Sequence, residues 1–436
     1  MSEGEQVTLA VWGLGNIGRS TLLGFANSGF RVVGIDTSIQ VCEELGRRDE
    51  WGHLSKSIRV SQCPVELAEE VIVAHFICVP TERDGEPWPG ALEEVAREIF
   101  ALIDAHRVAD RDPPLVVIES TITPRWLDSI IGSISADAGL VAGRDYLLGA
   151  APRRDWLTTE NWNLRNTPRV IGGHNDEATQ AMRQIISHVS DALILAPDDR
   201  HAVMVKLVEN SLRFLDISFA NELAREFSDM NVRAILELAG SKWNIENYYP
   251  SLGIGGYCVP LAPRHLLESG DGHRNLPLIT HAISTQLDQV DAVASLISSM
   301  PEIRSVGILG ISYLGDVKVN EHSPGIKLCA ELRRRNLNVM VNDPMYSETE
   351  IRKICDSPLF NLLDGNEKPD AIVLTIGHTA YSLMGSTELS KVLRSVRLVI
   401  DCTGTWSDRG LSSLVSDFRV IGTPGWLATR ETDAHA

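Results

Sequence analysis

Short, wholly apolar runs alternate along this chain with longer stretches in which apolar residues recur every three or four positions. VTLAVW (7–12), RVVGID ending at Asp36, VIVAHFICV (71–79) and LVVIE (115–119) form a first series of runs. Runs of this length, apolar throughout, read as strands buried on both faces of a parallel sheet. Helical spacing follows the first run through Ala26 and begins again after Pro124, which predicts repeated strand–helix units. A second series, SVGILG (305–310), LNVMVN (337–342), DAIVLTI (370–376) and RLVID (397–401), has a helix starting near Pro324. Between the two series, residues 199–229 carry neither Pro nor Gly and are apolar on most sides, which predicts one long helix buried between domains or subunits. The pattern predicts an α/β protein. Doubly wound parallel-sheet domains occupy 1–198 and 301–436 and are joined by an all-α central domain, 199–300, with a boundary near Pro301. The tail from Thr429 is expected to be loose.

Composition narrows the partners. The chain has 436 residues, 44% hydrophobic and 22% charged, with a formal net charge of −18. That charge argues against nucleic acid or an anionic membrane as the main partner, while leaving room for a small anionic ligand in a locally basic site. Seven cysteines, odd in number, scattered and without CxxC spacing, fit reduced thiols in a cytoplasmic protein. They suggest neither a disulfide framework nor a metal site. No signal-like start and no apolar run of about 20 residues is present, so no membrane segment is expected.

The first strand runs into Gly13-Leu14-Gly15-Asn16-Ile17-Gly18 and then a helix, and the second strand ends on Asp36. In this setting the first two glycines let the backbone turn and approach a pyrophosphate, and Gly18 lets helix and strand pack closely. The helix N-terminus, with Asn16 and Ile17, faces the phosphate charge. Asp36 can accept both ribose hydroxyls and would repel a 2′-phosphate, so the expected cofactor is NAD. The Rossmann-like reading makes the strand ends Val79-Pro80-Thr81 and Ser120-Thr121 candidate linings for cofactor or substrate. Turn chemistry and helix capping account for the same residue types equally well.

Two further features call for explanation. Lys206 and Asn210 lie one turn apart on one face of the long helix, with Arg213 nearby. Buried polar groups are costly unless paired or used, and a salt-bridged lysine with an amide contact between helices would be the plain account. Cys258 follows a Gly-rich turn, Gly253-Ile254-Gly255-Gly256-Tyr257, and either fills a hole or does chemistry on something the glycines let come close.

The ordered set of motifs resembles the UDP-glucose/GDP-mannose dehydrogenase family, in particular the branch that oxidises UDP-N-acetyl-hexosamines. The resemblance covers nearly the whole chain. It rests on GLGNIG with Asp36, ICVPT (77–81), STITP (120–124), KLVENSLRFLDISFANELA (206–224), GIGGYCVP (253–260) and the Ser-Pro and Asp-Pro marks of the last domain. It implies an NAD-binding first domain, a homodimer built on the long helix, and a last domain that closes over the nucleotide of a nucleotide sugar. It also implies oxidation of a primary alcohol to a carboxylate in two hydride transfers. By resemblance Cys258 is the nucleophile that forms a thiohemiacetal and then a thioester. Lys206 and Asn210 then stand by the reacting oxygen, and Thr121 helps to place water. Arg153, Tyr248, Tyr249, Gly253, Gly255, Gly256 and Tyr313 fall on the substrate side.

The departures are equally specific. Ala262 stands where the family has an acid two residues after the proline of the cysteine loop, and Arg153 stands where it has a glutamate. Leu314 follows Tyr313 in place of a lysine. No arginine precedes Ser323-Pro324, and none lies in KWNIENYY (242–249). General base catalysis then has to come from Lys206, Asp155 or another group. Two other readings follow: a relative that makes a single oxidation or uses another nucleotide alcohol, and a non-catalytic NAD-binding sensor or scaffold. The presence of Lys206, Asn210 and Cys258 together speaks against the last.

Overall fold

The computed structural model describes residues 7–47, 54, 56–67, 70–107, 112–155, 160–270, 276–362 and 368–428. The tail from Thr429 lies outside them. The chain divides into two compact units, Met1–Glu209 with Arg264–Asn275, and Asn210–Pro263 with Leu276–Ala436.

The first unit holds an eight-stranded sheet. Its strands are β1 (Thr8–Trp12), β2 (Arg31–Ile35), β3 (Ile58–Ser61), β4 (Ile72–Ile77), β5 (Leu115–Ile118), β6 (Leu147–Ala150), β7 (Arg169–Gly173) and β8 (Leu193–Leu195). Their order is β8-β7-β6-β5-β4-β1-β2-β3, and every pairing is parallel except β6 with β7. Strand β1 shows why the runs are apolar throughout. Leu9 and Val11 pack with Leu22 and Phe25 of helix α1 (Asn16–Asn27), while Ala10 and Trp12 pack with Ile99 and Phe100 of helix α2 (Gly90–Ala105). Helices cover both faces, so neither side of the strand meets water. The one polar residue inside β4, His75, accepts a hydrogen bond from Trp12 Nε1 at 3.2 Å, and burial pushes its pKa down to about 3, so it is neutral.

Helix α3 (Asp199–Glu226) begins in the first unit and ends in the second. Phe214, Ala220, Asn221 and Ala224 are buried, whereas Val208, Leu212 and Phe219 are exposed. The helix therefore has one packed face and one open apolar face. Helices α4 (Val232–Ala239), α5 (Cys258–Glu268) and α6 (Pro277–Ser298) follow. Among the described residues no helix is long and apolar enough to cross a membrane.

The second unit carries an all-parallel sheet of β9 (Ser305–Leu309), β10 (Asn338–Asn342), β11 (Ala371–Leu374), β12 (Leu398–Asp401) and β13 (Asp417–Val420), in the order β10-β9-β11-β12-β13. Loops at the carboxyl ends of its strands are held by buried acids. Asp343, just past β10, accepts the amides of Ile311 at 2.7 Å and Ser312 at 3.0 Å and contacts His378 Nε2 at 3.2 Å. His378 Nδ1 accepts the Asp316 amide at 2.9 Å, so the ring bridges Asp343 and Asp316 and fixes both ends of the 311–316 loop. Burial works against the Asp343 charge, but the His378 ring and the Ile311 and Met345 amides outweigh it and hold the carboxyl below its usual value. A depressed carboxyl stabilises the fold above about pH 4, and that contribution is lost as pH falls through the lowered folded value. Asp343→Ala leaves the Ile311 and Ser312 amides and the His378 ring without their shared acceptor and should cost about 1–3 kcal/mol at neutral pH. Urea denaturation is expected to show this deficit and to show it shrinking as pH falls through the lowered folded value.

Candidate active site

The turn after β1 is built around close backbone approach. Gly13 has φ +85° and donates its amide to Ile35 O at 2.8 Å. A Cβ on Gly18 would stand 1.7 Å from Gly13 O, so only glycine lets α1 start this close to the strand. A Cβ on Gly15 would meet nothing within 4 Å, so the space above the turn is open. Gly15 caps α1 without a side-chain hydrogen bond, leaving first-turn amides available to an anion. Asn16 is exposed and Ile17 half-buried beside it. Asp36 accepts the amides of Leu14 at 2.7 Å and Ser38 at 2.8 Å, which fixes its carboxylate at the end of β2. Open amides and an oriented acid fit the pyrophosphate and ribose of a dinucleotide.

The neighbouring strand ends are tied to each other. Ser120 Oγ donates to Val79 O at 2.7 Å, and Thr81 Oγ1 donates to Thr121 O at 2.6 Å. Both hydroxyls serve the backbone here, while Pro80 is exposed and Thr121 half-buried.

Beneath α1 lies a buried network of four charges. Arg153 is 4% exposed and grips Asp155 with two bonds, Nε to Oδ1 at 2.7 Å and Nη2 to Oδ2 at 2.6 Å. It also donates to Thr21 Oγ1 at 2.6 Å, Ser20 Oγ at 3.0 Å and Ile17 O at 3.4 Å. The Thr21 hydroxyl in turn donates a hydrogen bond to Glu119 Oε2 at 2.6 Å, and Arg169 closes the set with an ion pair to Glu119. Burial raises the Glu119 carboxyl, but Arg169 and Arg153 more than reverse this and hold it below the usual range. Asp155 behaves likewise, with Arg153 overcoming its burial. Arg153, expected on the substrate side, turns its guanidinium inward under the cofactor turn. Asp155, a candidate base, is committed to that arginine.

In the second unit the cysteine turn is pinned before it reaches the thiol. Asn221 Oδ1 of α3 accepts the Ser251 amide at 2.8 Å, and Gln289 Nε2 of α6 donates to Ser251 O at 2.9 Å. Ile254 packs on Phe214 and Ala282. Gly256 has φ +82°, and a Cβ there would stand 3.0 Å from the Tyr313 ring; on Gly255 it would stand 2.7 Å from Tyr313 Cβ. The near approach these glycines permit is to Tyr313. Cys258 is exposed as the first residue of α5, where helix amides favour negative charge. Ala262, on the same helix, is 0% exposed. Tyr248 donates to Glu246 Oε2 at 2.9 Å, and Tyr249 is exposed beside Arg233.

Neither plain account of Lys206 and Asn210 finds support. Lys206 is half-buried and forms no ion pair among the described residues, and Asn210 Nδ2 is buried without a hydrogen-bond partner among them. An unsatisfied buried amide costs about 1–3 kcal/mol, which a bound ligand would relieve. Sequence reasoning missed Glu119, Arg169 and Thr21, because ion pairs and hydrogen bonds between residues 50, 98 and 132 positions apart leave no spacing signal. Glu119 directly before Ser120-Thr121 was the one available hint.

Arg153→Met should leave Asp155 buried without its counter-ion and cost about 3–5 kcal/mol. Thermal unfolding would read this as a lower Tm. Calorimetric titration with NAD should show weaker binding, because Arg153 also holds the Ile17 carbonyl and Ser20 of α1.

Comparison with known proteins places this geometry. The central domain of the UDP-glucose/GDP-mannose dehydrogenase family matches residues 200–286, and the UDP binding domain of the same family matches residues 307–408. A UDP-N-acetyl-D-mannosamine dehydrogenase of Pyrococcus horikoshii is 27% identical over 416 residues, 90% of this chain and 94% of its own. A UDP-N-acetyl-D-glucosamine 6-dehydrogenase of Salmonella typhi is 25% identical over 415 residues, 88% of this chain and 93% of its own. The solved structure of a UDP-D-ManNAc dehydrogenase from Pyrococcus horikoshii superposes with a TM-score of 0.79 at 25% identity, covering 95% of this chain and 99% of that one. Two domain matches, relatives that cover about nine tenths of the chain and one shared architecture point the same way: the chain is similar to the UDP-glucose/GDP-mannose dehydrogenase family along nearly its whole length.

Proposed function

We propose that the chain is an NAD-dependent oxidoreductase that converts a primary alcohol of a nucleotide sugar, a UDP-sugar, to the carboxylate, with Cys258 as nucleophile. The observation that carries this reading is Cys258 itself. An exposed thiol opens a helix at the end of a turn held by α3 and α6, in a chain that also bears an open dinucleotide turn. A thiol that merely filled space would be buried, as Cys329 and Cys402 are.

NAD supplies the hydride acceptor. The chain's own groups do the rest. An aldehyde has no route to an acid by hydride loss until a nucleophile adds to its carbonyl. The Cys258 sulfur adds to the carbonyl carbon and gives a thiohemiacetal, loss of hydride gives a thioester, and water cleaves it. The Lys206 ammonium and the Asn210 Nδ2, which has no partner among the described residues, stabilise the oxygen as negative charge develops on it. Thr121 orders water, and Asp36 selects NAD over a 2′-phosphorylated cofactor.

A single-oxidation reading has one observation in its favour. Ala262 and Arg153 stand where the family has acids, and Asp155, a candidate base in their place, is locked to Arg153. The open apolar face of α3 supports a homodimer. Val208, Leu212 and Phe219 lie along it, and Leu238 and the 92%-exposed Trp243 lie further on in the chain.

Cys258→Ser should abolish acid formation while leaving NAD affinity within about twofold, measured by product mass and by titration. Unchanged acid output from that variant would defeat the mechanism. Phe219→Glu places a charge in the proposed interface and should shift the chain from dimer to monomer in light scattering behind size exclusion, because an unpaired charge is costly to bury.

A further inference from the structure

Within the second unit, the turn that presents the thiol is joined to the segment before helix α7 (Pro324–Arg334). Gly256 N donates to Glu321 O at 2.8 Å, and the Tyr257 hydroxyl donates to Glu321 Oε1 at 3.1 Å. The Tyr257 ring also stands edge-on to His322, with centroids 6.2 Å apart. Tyr257 directly precedes Cys258, so these contacts tie the segment that carries Glu321 to the two residues before the nucleophile.

That carboxylate is not consumed by structure. Asp155 is locked to Arg153, Asp343 to two amides and a histidine, and Glu119 to two arginines. Glu321, by contrast, forms no ion pair among the described residues, and the one hydrogen bond to its carboxylate among them leaves Oε2 available. The Tyr313 hydroxyl is pushed up by burial and then by Cys258, with Glu321 adding to the rise against the pull of Arg213, so thiol and carboxylate both act on the ring that the Gly255-Gly256 turn approaches.

We propose that Glu321 is the general base that activates the water cleaving the Cys258 thioester, with Tyr257 holding the carboxylate in position. Glu321 takes a proton from water as the water oxygen bonds to the acyl carbon. The carbon–sulfur bond breaks, its electron pair leaves on sulfur as the thiolate, and the proton on Glu321 passes to solvent. No oxidant or reductant is needed. The inference rests on Cys258 being the nucleophile, and it fills the position left by Ala262 from a different element.

The test uses p-nitrophenyl acetate, which acylates an accessible thiol without NAD or the natural substrate. The native chain should release a burst of p-nitrophenolate followed by steady turnover. Glu321→Gln keeps the acceptor for Tyr257. It should keep the burst, slow deacylation on the order of 100-fold and accumulate an acetyl adduct that peptide mass mapping places on Cys258. Added formate, a small external base, should speed deacylation in the variant and not in the native chain. Tyr257→Phe should slow deacylation by a smaller factor. Deacylation of Glu321→Gln at the native rate, with the burst on Cys258 intact, overturns the role of Glu321 and leaves the cysteine reading standing. A burst that persists unchanged in Cys258→Ser overturns the cysteine reading and this inference with it.

Discussion

Four charges buried beneath helix α1 set the terms for the first unit. Arg153 and Arg169 face Glu119 and Asp155 in a place with almost no water, so each charge is tolerable only because the others are there. The network joins the loop after β6, the first residue beyond β5, the start of β7 and the first turns of α1. It holds the cofactor turn from below while the turn keeps its upper side open. It also settles the chemistry of Arg153 and Asp155, since neither can serve as an acid or base without leaving its partners unpaired.

The second unit applies the opposite rule to its reactive groups. Structural polar groups on the cysteine turn are satisfied: the Ser251 amide and carbonyl and the Gly256 amide each have a partner. Cys258 stays exposed and Glu321 stays outside any described ion pair. Rigid support with unconsumed reactive groups is what preorganised catalysis requires. The same contrast separates Asn221, whose amide is used on both sides by protein, from Asn210 of the same helix, whose Nδ2 has no partner among the described residues.

Much of the fold was legible because buried parallel strands and amphipathic helices write their periods directly into the chain. β1, β2, β4 and β5 fall inside the apolar runs, and Asp36 falls just past β2 as the dinucleotide turn requires. β7 and β8 were less legible: RVIGG has two glycines, and Leu193–Leu195 is a three-residue edge strand with exposed side chains. The candidate site was legible where chemistry and local geometry coincide, as at Gly18 and Cys258. It was illegible where long-range pairing decides. Nothing near Arg153 in sequence says that Thr21 and Glu119 surround it, and nothing near Cys258 says that Glu321 stands beside Tyr257.

The central claim is a two-step oxidation through a thioester in a chain whose expected acids have moved. Its most direct measure is the number of NADH formed per product, with NAD and a panel of UDP- and GDP-sugars and product mass read alongside. Two NADH for each carboxylate formed is the predicted result. One NADH with an aldehyde as the final product would contradict the account and make the enzyme a single-step dehydrogenase.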